Sequence, residues 1–358
     1  MTRENQARRI ATAAAYGGGG LVGVGAAVGG LLVAEGFLAR KTIGIRRESA
    51  PYADGYYGPK RRGTSLRFVM MGDSSAAGLG ANGPLETPGA LIAQGLVDAA
   101  DRPVRYVSVA TVGARSEHLP GQIQRALILR PHVAVVMIGG NDVTHLVRPQ
   151  KAVRFLEEGI RELVEAGTAV VVGTCPDIGT IRPVRQPLRW LARRLSRQLA
   201  AAQTIAVIDA GGRSVSLGSI LGPEFDANPQ DMFAADRFHP SSAGYAKAAE
   251  ALLPSVLDSI GLAPAAEEEL DPQRGDEFLP VAEGAVSAAE AEGVEVIGAV
   301  GGDTAHRGRW VQLRHRVRHP LRKPEPPAPL SADIPWADDP EPGPPRNLPM
   351  LRDPFAKR

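Results

Sequence analysis

A single cysteine, Cys175, occurs in 358 residues, so no disulfide can form within the chain. Neither sign of charge prevails. The 41 Lys and Arg residues stand against 39 Asp and Glu, a formal net charge of +2. Such a balance supplies no chain-wide field that would select nucleic acid or an acidic partner. No internal repeat is visible. The 30 prolines and 41 glycines are unevenly spread, which points to one domain with non-globular flanks.

Charge is missing altogether from one stretch. Residues 10–34 carry none between Arg9 and Glu35. These 25 residues exceed the roughly 20 that cross a hydrocarbon core. Their Gly and Ala content suits a membrane helix that packs closely. The expectation is an uncleaved, single-pass membrane anchor within residues 1–40. Leu32 and Ala34 make a poor cleavage site, so secretion after signal cleavage is the alternative. Basic residues lie on both sides of the stretch, so charge does not assign the side of the membrane on which the domain lies. Gly18, Gly20 and Gly23 satisfy G-x-G-x-x-G, but no strand precedes them, so a dinucleotide site is not expected there.

Residues 41–63 read as a basic linker. At the other end, Glu267 to Glu295 holds ten acids and Arg274 as its one base, followed by a basic run at 306–323 and a Pro-rich end. Block charge of this kind predicts a disordered tail over 263–358.

The middle, 64–262, has another texture. Near-continuous apolar runs recur at 66–71, 104–110, 133–139, 168–173 and 204–209, as expected for strands buried on both faces of a parallel sheet. Amphipathic patterns at 151–166, 188–202 and 243–260 predict helices between and after them, with Gly167 placed as a C-cap. Alternating strands and helices give a doubly wound α/β domain of about five strands.

Function in such a sheet gathers beyond the carboxyl ends of the strands. Polar residues follow the runs in order: Gly72-Asp73-Ser74-Ser75, then a loop with Gly113, then Gly139-Gly140-Asn141-Asp142, then Thr174-Cys175-Pro176-Asp177, and finally DRFHPSSAGY with Asp236 and His239. A serine hydroxyl needs an adjacent base, and the base needs a third group to hold its tautomer. His239 can be that base toward Ser74. Asp236, three residues earlier, can orient it. The N–H groups of Ser74 and Gly113 and the Asn141 amide are suitable donors for an oxyanion. Ser75 reads as a helix cap, Asp73 as a brace of the turn and Asp142 as an organiser of its loop. Asp177 fits either a turn or the rim of the site. His118, His132 and His145 read as surface or helix-start residues, and Cys175 as a packed core residue.

These ordered blocks resemble the SGNH hydrolases, also called the GDSL esterase/lipase family. The resemblance covers about 64–262. It implies a three-layer α/β/α flavodoxin-like fold and a metal-independent serine esterase or lipase that works through an acyl-enzyme, without cofactor. It implies Ser74 as nucleophile, His239 as base, Asp236 as its orienter, and Ser74, Gly113 and Asn141 as the oxyanion hole, acting on a small acyl ester. The second block is looser than the family pattern around Gly113. Other classes stay open at this point. An acyltransferase could use the same triad. Asp73, Asn141, Asp142 and His239 could ligate metal in a phosphoesterase. Ser74 and Ser75 could hold the phosphate of a flavin. A non-catalytic membrane-anchored scaffold is a further alternative.

Overall fold

The computed structural model describes residues 49–262, 277–290, 294–298, 310–315 and 321–330. The stretch expected to anchor the chain in a membrane, 10–34, lies outside them. Among the described residues no helix is long and apolar enough to cross a membrane.

In chain order the strands are β1 (Gly55–Tyr57), β2 (Leu66–Gly72), β3 (Val104–Ser108), β4 (Val133–Met137), β5 (Ala169–Gly173) and β6 (Arg213–Val215), then β7 (Glu277–Pro280), β8 (Val294–Gly298) and β9 (Trp310–His315). The helices that frame the site are α1 (Pro88–Ala100), α2 (Leu119–Ile128), α3 (Gly140–Thr144), α4 (Pro149–Glu165), α5 (Leu188–Asp209), α6 (Leu217–Ala227), α7 (Pro229–Met232), α8 (Ser242–Ser259) and α9 (Val281–Glu290). The strands form one sheet in the order β1-β3-β2-β4-β5-β6-β8-β9-β7.

Its centre, β3-β2-β4-β5-β6, is parallel throughout. Numbered by order within that centre, the strands run 2-1-3-4-5, the flavodoxin-like order whose switch point lies between the first and third. Here that point falls between β2 and β4. Side chains alternate across β2. Phe68 and Met70 enter one core layer with α1 and α8, while Val69 and Met71 enter the other with α2 and α4. All five residues of β4 are buried. Each fully buried aliphatic side chain contributes roughly 1.5–3 kcal/mol, so the double-sided core stabilises the strands that carry the site.

The sequence reading differs from this structure in three places. The apolar run 204–209 is the end of α5, not a strand. Ser196, Leu199, Ala200, Gln203 and Val207 are buried at helical spacing, which carries the helix through TIAVID despite its β-branched residues. The fifth parallel strand is the three-residue β6, reached through the turn at Gly211 and Gly212. Second, the expected linker 41–63 contains β1, which pairs antiparallel with β3 through Gly55 and Tyr106.

Third, the expected tail is partly built into the sheet. β8 pairs antiparallel with β6, and β9 and β7 follow it. Val294, Val296, Val311 and Leu313 are buried there against Ile208. Average charge over the acidic block hides these short alternating runs. The fully buried Glu295 lies 3.2 Å from Arg213, which also pairs with Asp258, while Arg314 approaches Asp258 at 3.4 Å. Mutual pairing lets these charges leave water together. The Pro-rich segment 321–330 runs beside β1, where Tyr56 and Ala328 exchange backbone hydrogen bonds of 2.8 Å. A row of prolines cannot form a central strand, but it can cover a sheet edge.

Candidate active site

The chain leaves β2 through a glycine that nothing else can replace. Gly72 has φ +133°, and a Cβ there would lie 1.8 Å from the Met137 carbonyl oxygen. The same geometry recurs after β4, where Gly139 has φ +135° and a Cβ would meet Cys175 at 2.8 Å. Both positions need a backbone open to positive φ with no side chain. These turns bring Ser74 and Asn141 to the same end of adjacent strands.

After Gly72 the chain forms a series of turns, not a helix. Asp73, not Ser75, supplies the cap, since its Oδ1 accepts from the Ser75 N–H at 2.9 Å. The expected capping role of Ser75 thus passes to the residue two before it. The Ser74 N–H makes no hydrogen bond to another described residue, while the Ser74 carbonyl accepts from Leu79 at 2.9 Å.

The loop between α7 and α8 delivers the partners. Asp236 Oδ1 accepts from the N–H groups of Phe238 and His239, each at 3.0 Å, which folds the loop around the carboxylate. Its Oδ2 lies 2.7 Å from His239 Nδ1. His239 Nε2 lies 3.0 Å from Ser74 Oγ. Ser74 and Asp236 are buried, and His239 is partly open. Burial pushes the Asp236 carboxyl up, but the hydrogen bonds from His239 and the two backbone N–H groups outweigh it and hold it below the usual carboxylate range. Asp236 is therefore ionised wherever the protein is folded near neutral pH.

Asn141 opens α3. Its Nδ2 donates to the Ala114 carbonyl at 3.0 Å, and the residue lines the same cavity as Ser74 and His239. Gly113 is less closely involved. It is exposed, has φ +79° and is not part of the cavity wall. Its loop is nonetheless fastened to the Asn141 loop. Buried Asp142 accepts from the Ser116 N–H at 3.1 Å and from Ser116 Oγ at 3.0 Å. The expected organising role of Asp142 takes this form.

The cavity beside Ser74 holds about 60 Å³. Its wall is mostly apolar, with Ile178, Ile181, Leu217, Phe225, Phe233 and Phe238 prominent. Asp177 combines both roles considered for it. It caps the turn Ile178–Thr180, pairs with Arg193 at 2.9 Å and lies on the cavity wall. Among the described residues no group of three or more His, Cys, Asp or Glu side chains converges as a metal site. His118 and His145 are exposed, and His132 Nδ1 accepts from the Arg67 N–H beside β2. Burial pushes the Cys175 thiol up, as befits a packed residue.

Two glutamines that escaped the sequence reading hold the strand ends. Gln122 grips Gly72 with both ends of its amide: Oε1 accepts from the Gly72 N–H at 2.7 Å, and Nε2 donates to its carbonyl at 2.8 Å. Gln203 bridges the ends of β4 and β5, accepting from the Cys175 N–H at 2.7 Å and donating to the Ile138 carbonyl at 2.9 Å. Both are buried. Each interrupts an apolar helical stripe, Leu119-Gln122-Ile123-Ala126 in one case and Leu199-Gln203-Val207 in the other. A polar residue in such a stripe must find a partner or cost stability.

The family model for the GDSL-like lipase/acylhydrolase family matches residues 70–247. The GDSL-like esterase Rv1075c of Mycobacterium tuberculosis is 40% identical over 262 residues, which is 70% of this chain and 83% of that protein. The chain belongs to the GDSL-like lipase/acylhydrolase family. Solved structures of lower similarity include Axe2, an acetylxylan esterase from Geobacillus stearothermophilus, with 18% identity and a TM-score of 0.42 over 57% of this chain and 98% of that one. Another is TesA, with 20% identity and a TM-score of 0.40 over 55% and 98%. The family assignment rests on the sequence matches. As a GDSL-like enzyme, the protein is an ester hydrolase on an α/β fold.

Within this GDSL-like site, Asp73 is the carboxylate under most strain. Burial raises it from 3.8 to about 6, against the pull of the Ser75 N–H and of nearby His239. The folded state therefore holds this proton more tightly than the unfolded chain. Its stabilising effect is complete below about pH 4, the unfolded value, and is lost as pH rises through about 6. Asp73→Asn keeps the acceptor for Ser75 and removes the buried charge. It is expected to be more stable than the parent at pH 8 by on the order of 1–3 kcal/mol, with the difference vanishing near pH 4. Urea unfolding at the two pH values checks this. An equal difference at both would contradict it.

Proposed function

We propose that the protein is a serine esterase that cleaves short-chain carboxylic esters through an acyl-enzyme. The observation that carries this reading is the continuous contact Asp236–His239–Ser74 at 2.7 and 3.0 Å, opening on an apolar cavity. His239 Nε2 takes the Ser74 proton as Oγ attacks the carbonyl carbon, and the imidazolium is stabilised by ionised Asp236. Negative charge on the carbonyl oxygen is met by the Ser74 N–H and the Asn141 amide, while Gly113, exposed and off the cavity wall, is the weaker of the three donors considered. The ester C–O bond breaks, and His239 returns the proton to the leaving alcohol. Water then repeats the sequence on the acyl-enzyme and frees the acid and Ser74.

The size of the cavity supports the choice of acyl group. The space beside Ser74 is narrow, about 60 Å³, and is walled by Phe225, Phe233 and Phe238, which favours a short acyl group. Acetyl to butyryl chains fit that space, and longer ones must displace the phenylalanine wall. A p-nitrophenyl ester series measured with the full chain tests this. kcat/KM is expected to hold or rise from acetate to butyrate and to fall at least about tenfold by octanoate, since missing complementarity of a few methylenes is worth that much. A maximum at octanoate or beyond would refute the short-chain assignment. Absence of turnover on every ester would refute the esterase reading itself.

A further inference from the structure

The outer face of α5 breaks local rules of helix design. Six arginines and no acid lie between Arg182 and Arg197. Arg189, Arg193 and Arg197 follow one another at four-residue spacing, with Trp190 and Arg194 on the adjoining row, so they share one arc of the helix. The opposite arc carries Leu199 into the core. Like charges at this spacing repel, and the first turns of a helix are its positive end. The fold compensates only in part. Arg193 pairs with Asp177 and Asp226, and Arg182 with Asp226. Arg185, Arg189, Arg194 and Arg197 make no side-chain ion pair among the described residues.

An exposed indole sits in the middle of these cations. Trp190 is 57% exposed, with the Arg194 guanidinium 5.7 Å from its ring. A surface depression of about 270 Å³ lies beside it, bordered by Arg182, Arg189, Trp190 and Arg193. That depression reaches Gly179, whose neighbours Ile178 and Thr180 line the cavity at Ser74. The basic face therefore adjoins the mouth of the active site.

Unpaired guanidinium groups complement phosphate, and an exposed tryptophan among them suits the boundary between headgroups and acyl chains. We propose that this face docks on the surface of an anionic phospholipid bilayer and holds the mouth of the cavity toward it. The sequence favours a bilayer over other anions. Residues 10–34 carry no charge and are long enough to span one. Residues 35–54 then separate that stretch from β1, a reach of at most about 70 Å for an extended chain. A domain held that close meets the bilayer at high effective concentration, so a modest surface contact suffices to orient it. The docking face stands apart from the triad and does not depend on its assignment.

The test reads Trp190 in the full chain, bound to vesicles whose acyl chains carry bromine as a quencher. The Trp190 signal is the difference between the parent protein and Trp190→Phe. With phosphatidylglycerol present, this signal is expected to be quenched by about half and shifted to the blue; in phosphatidylcholine alone it stays close to its value in buffer. The combined variant Arg185→Gln, Arg189→Gln, Arg194→Gln and Arg197→Gln is expected to lose the phosphatidylglycerol effect while hydrolysing a soluble ester at the parental rate. Equal quenching in both vesicle types, or quenching that survives in the arginine variant, would overturn the proposal. So would protection of Trp190 from acrylamide by inorganic polyphosphate without protection by vesicles, which would assign the face to a soluble phosphate ligand.

Discussion

His239→Ala is expected to lower kcat on a soluble short-chain ester by about 10⁴–10⁶, the range seen when the base of a serine triad is removed. Ser74 has no other base within hydrogen-bond reach among the described residues, since its Oγ contact is to His239 Nε2. An unactivated hydroxyl at neutral pH is a poor nucleophile. Asp236→Asn is expected to cost about 10⁴. The amide keeps an acceptor for the Phe238 and His239 N–H groups but cannot support the imidazolium and can present a donor to Nδ1. Both variants should unfold cooperatively, because the core layers on either side of the sheet are untouched. Steady-state kinetics with a circular dichroism check of folding measures this. A loss under tenfold in His239→Ala would remove it from the role of base.

Asn141→Ala is expected to reduce kcat by about 10²–10³ with KM changed less than about threefold. One Asn141 N–H already serves the Ala114 carbonyl, and that bond fixes the amide plane at the cavity wall. In the proposed mechanism the second N–H serves the oxygen that becomes charged as Ser74 adds. A donor held in place before the reaction acts mainly in the transition state, so its loss falls on kcat. Saturation kinetics on one ester separate the two constants. A loss of the same size confined to KM would make Asn141 a substrate-binding residue.

That Ser74, Asp236 and His239 would meet was legible because chemistry and topology coincide in the chain. The runs at 66–71 and 133–139 are apolar apart from Arg67 and read as buried strands, so the polar residues after them were expected together at one end of the sheet. Asp236 and His239 were close enough in sequence for one loop to present both. What stayed hidden depends on contacts far apart in sequence. Nothing local says that Gln122 reaches Gly72, although its place in an apolar stripe was a signal that it needed a partner. TIAVID has strand composition, and only the register of Leu199, Gln203 and Val207 assigns it to α5. β6 is three residues long and takes its identity from pairing with β5. Likewise the acidic block looked unable to fold, yet Val294 and Val296 are buried and Glu295 finds Arg213. Single-sequence charge counting cannot see a cation 82 residues away.

Whether Ser74 is an activated nucleophile is measured in one step by a fluorophosphonate probe. The probe carries a phosphorus that an activated serine attacks, with fluoride leaving, and the adduct survives digestion for peptide mapping. The parent protein is expected to carry one label, at Ser74. Ser75→Ala is expected to label at the parental rate, and His239→Ala to label at least about 10³-fold more slowly, as befits loss of the base. A label mapped to Ser75, or labelling that persists undiminished in His239→Ala, would contradict the assignment of Ser74, His239 and Asp236.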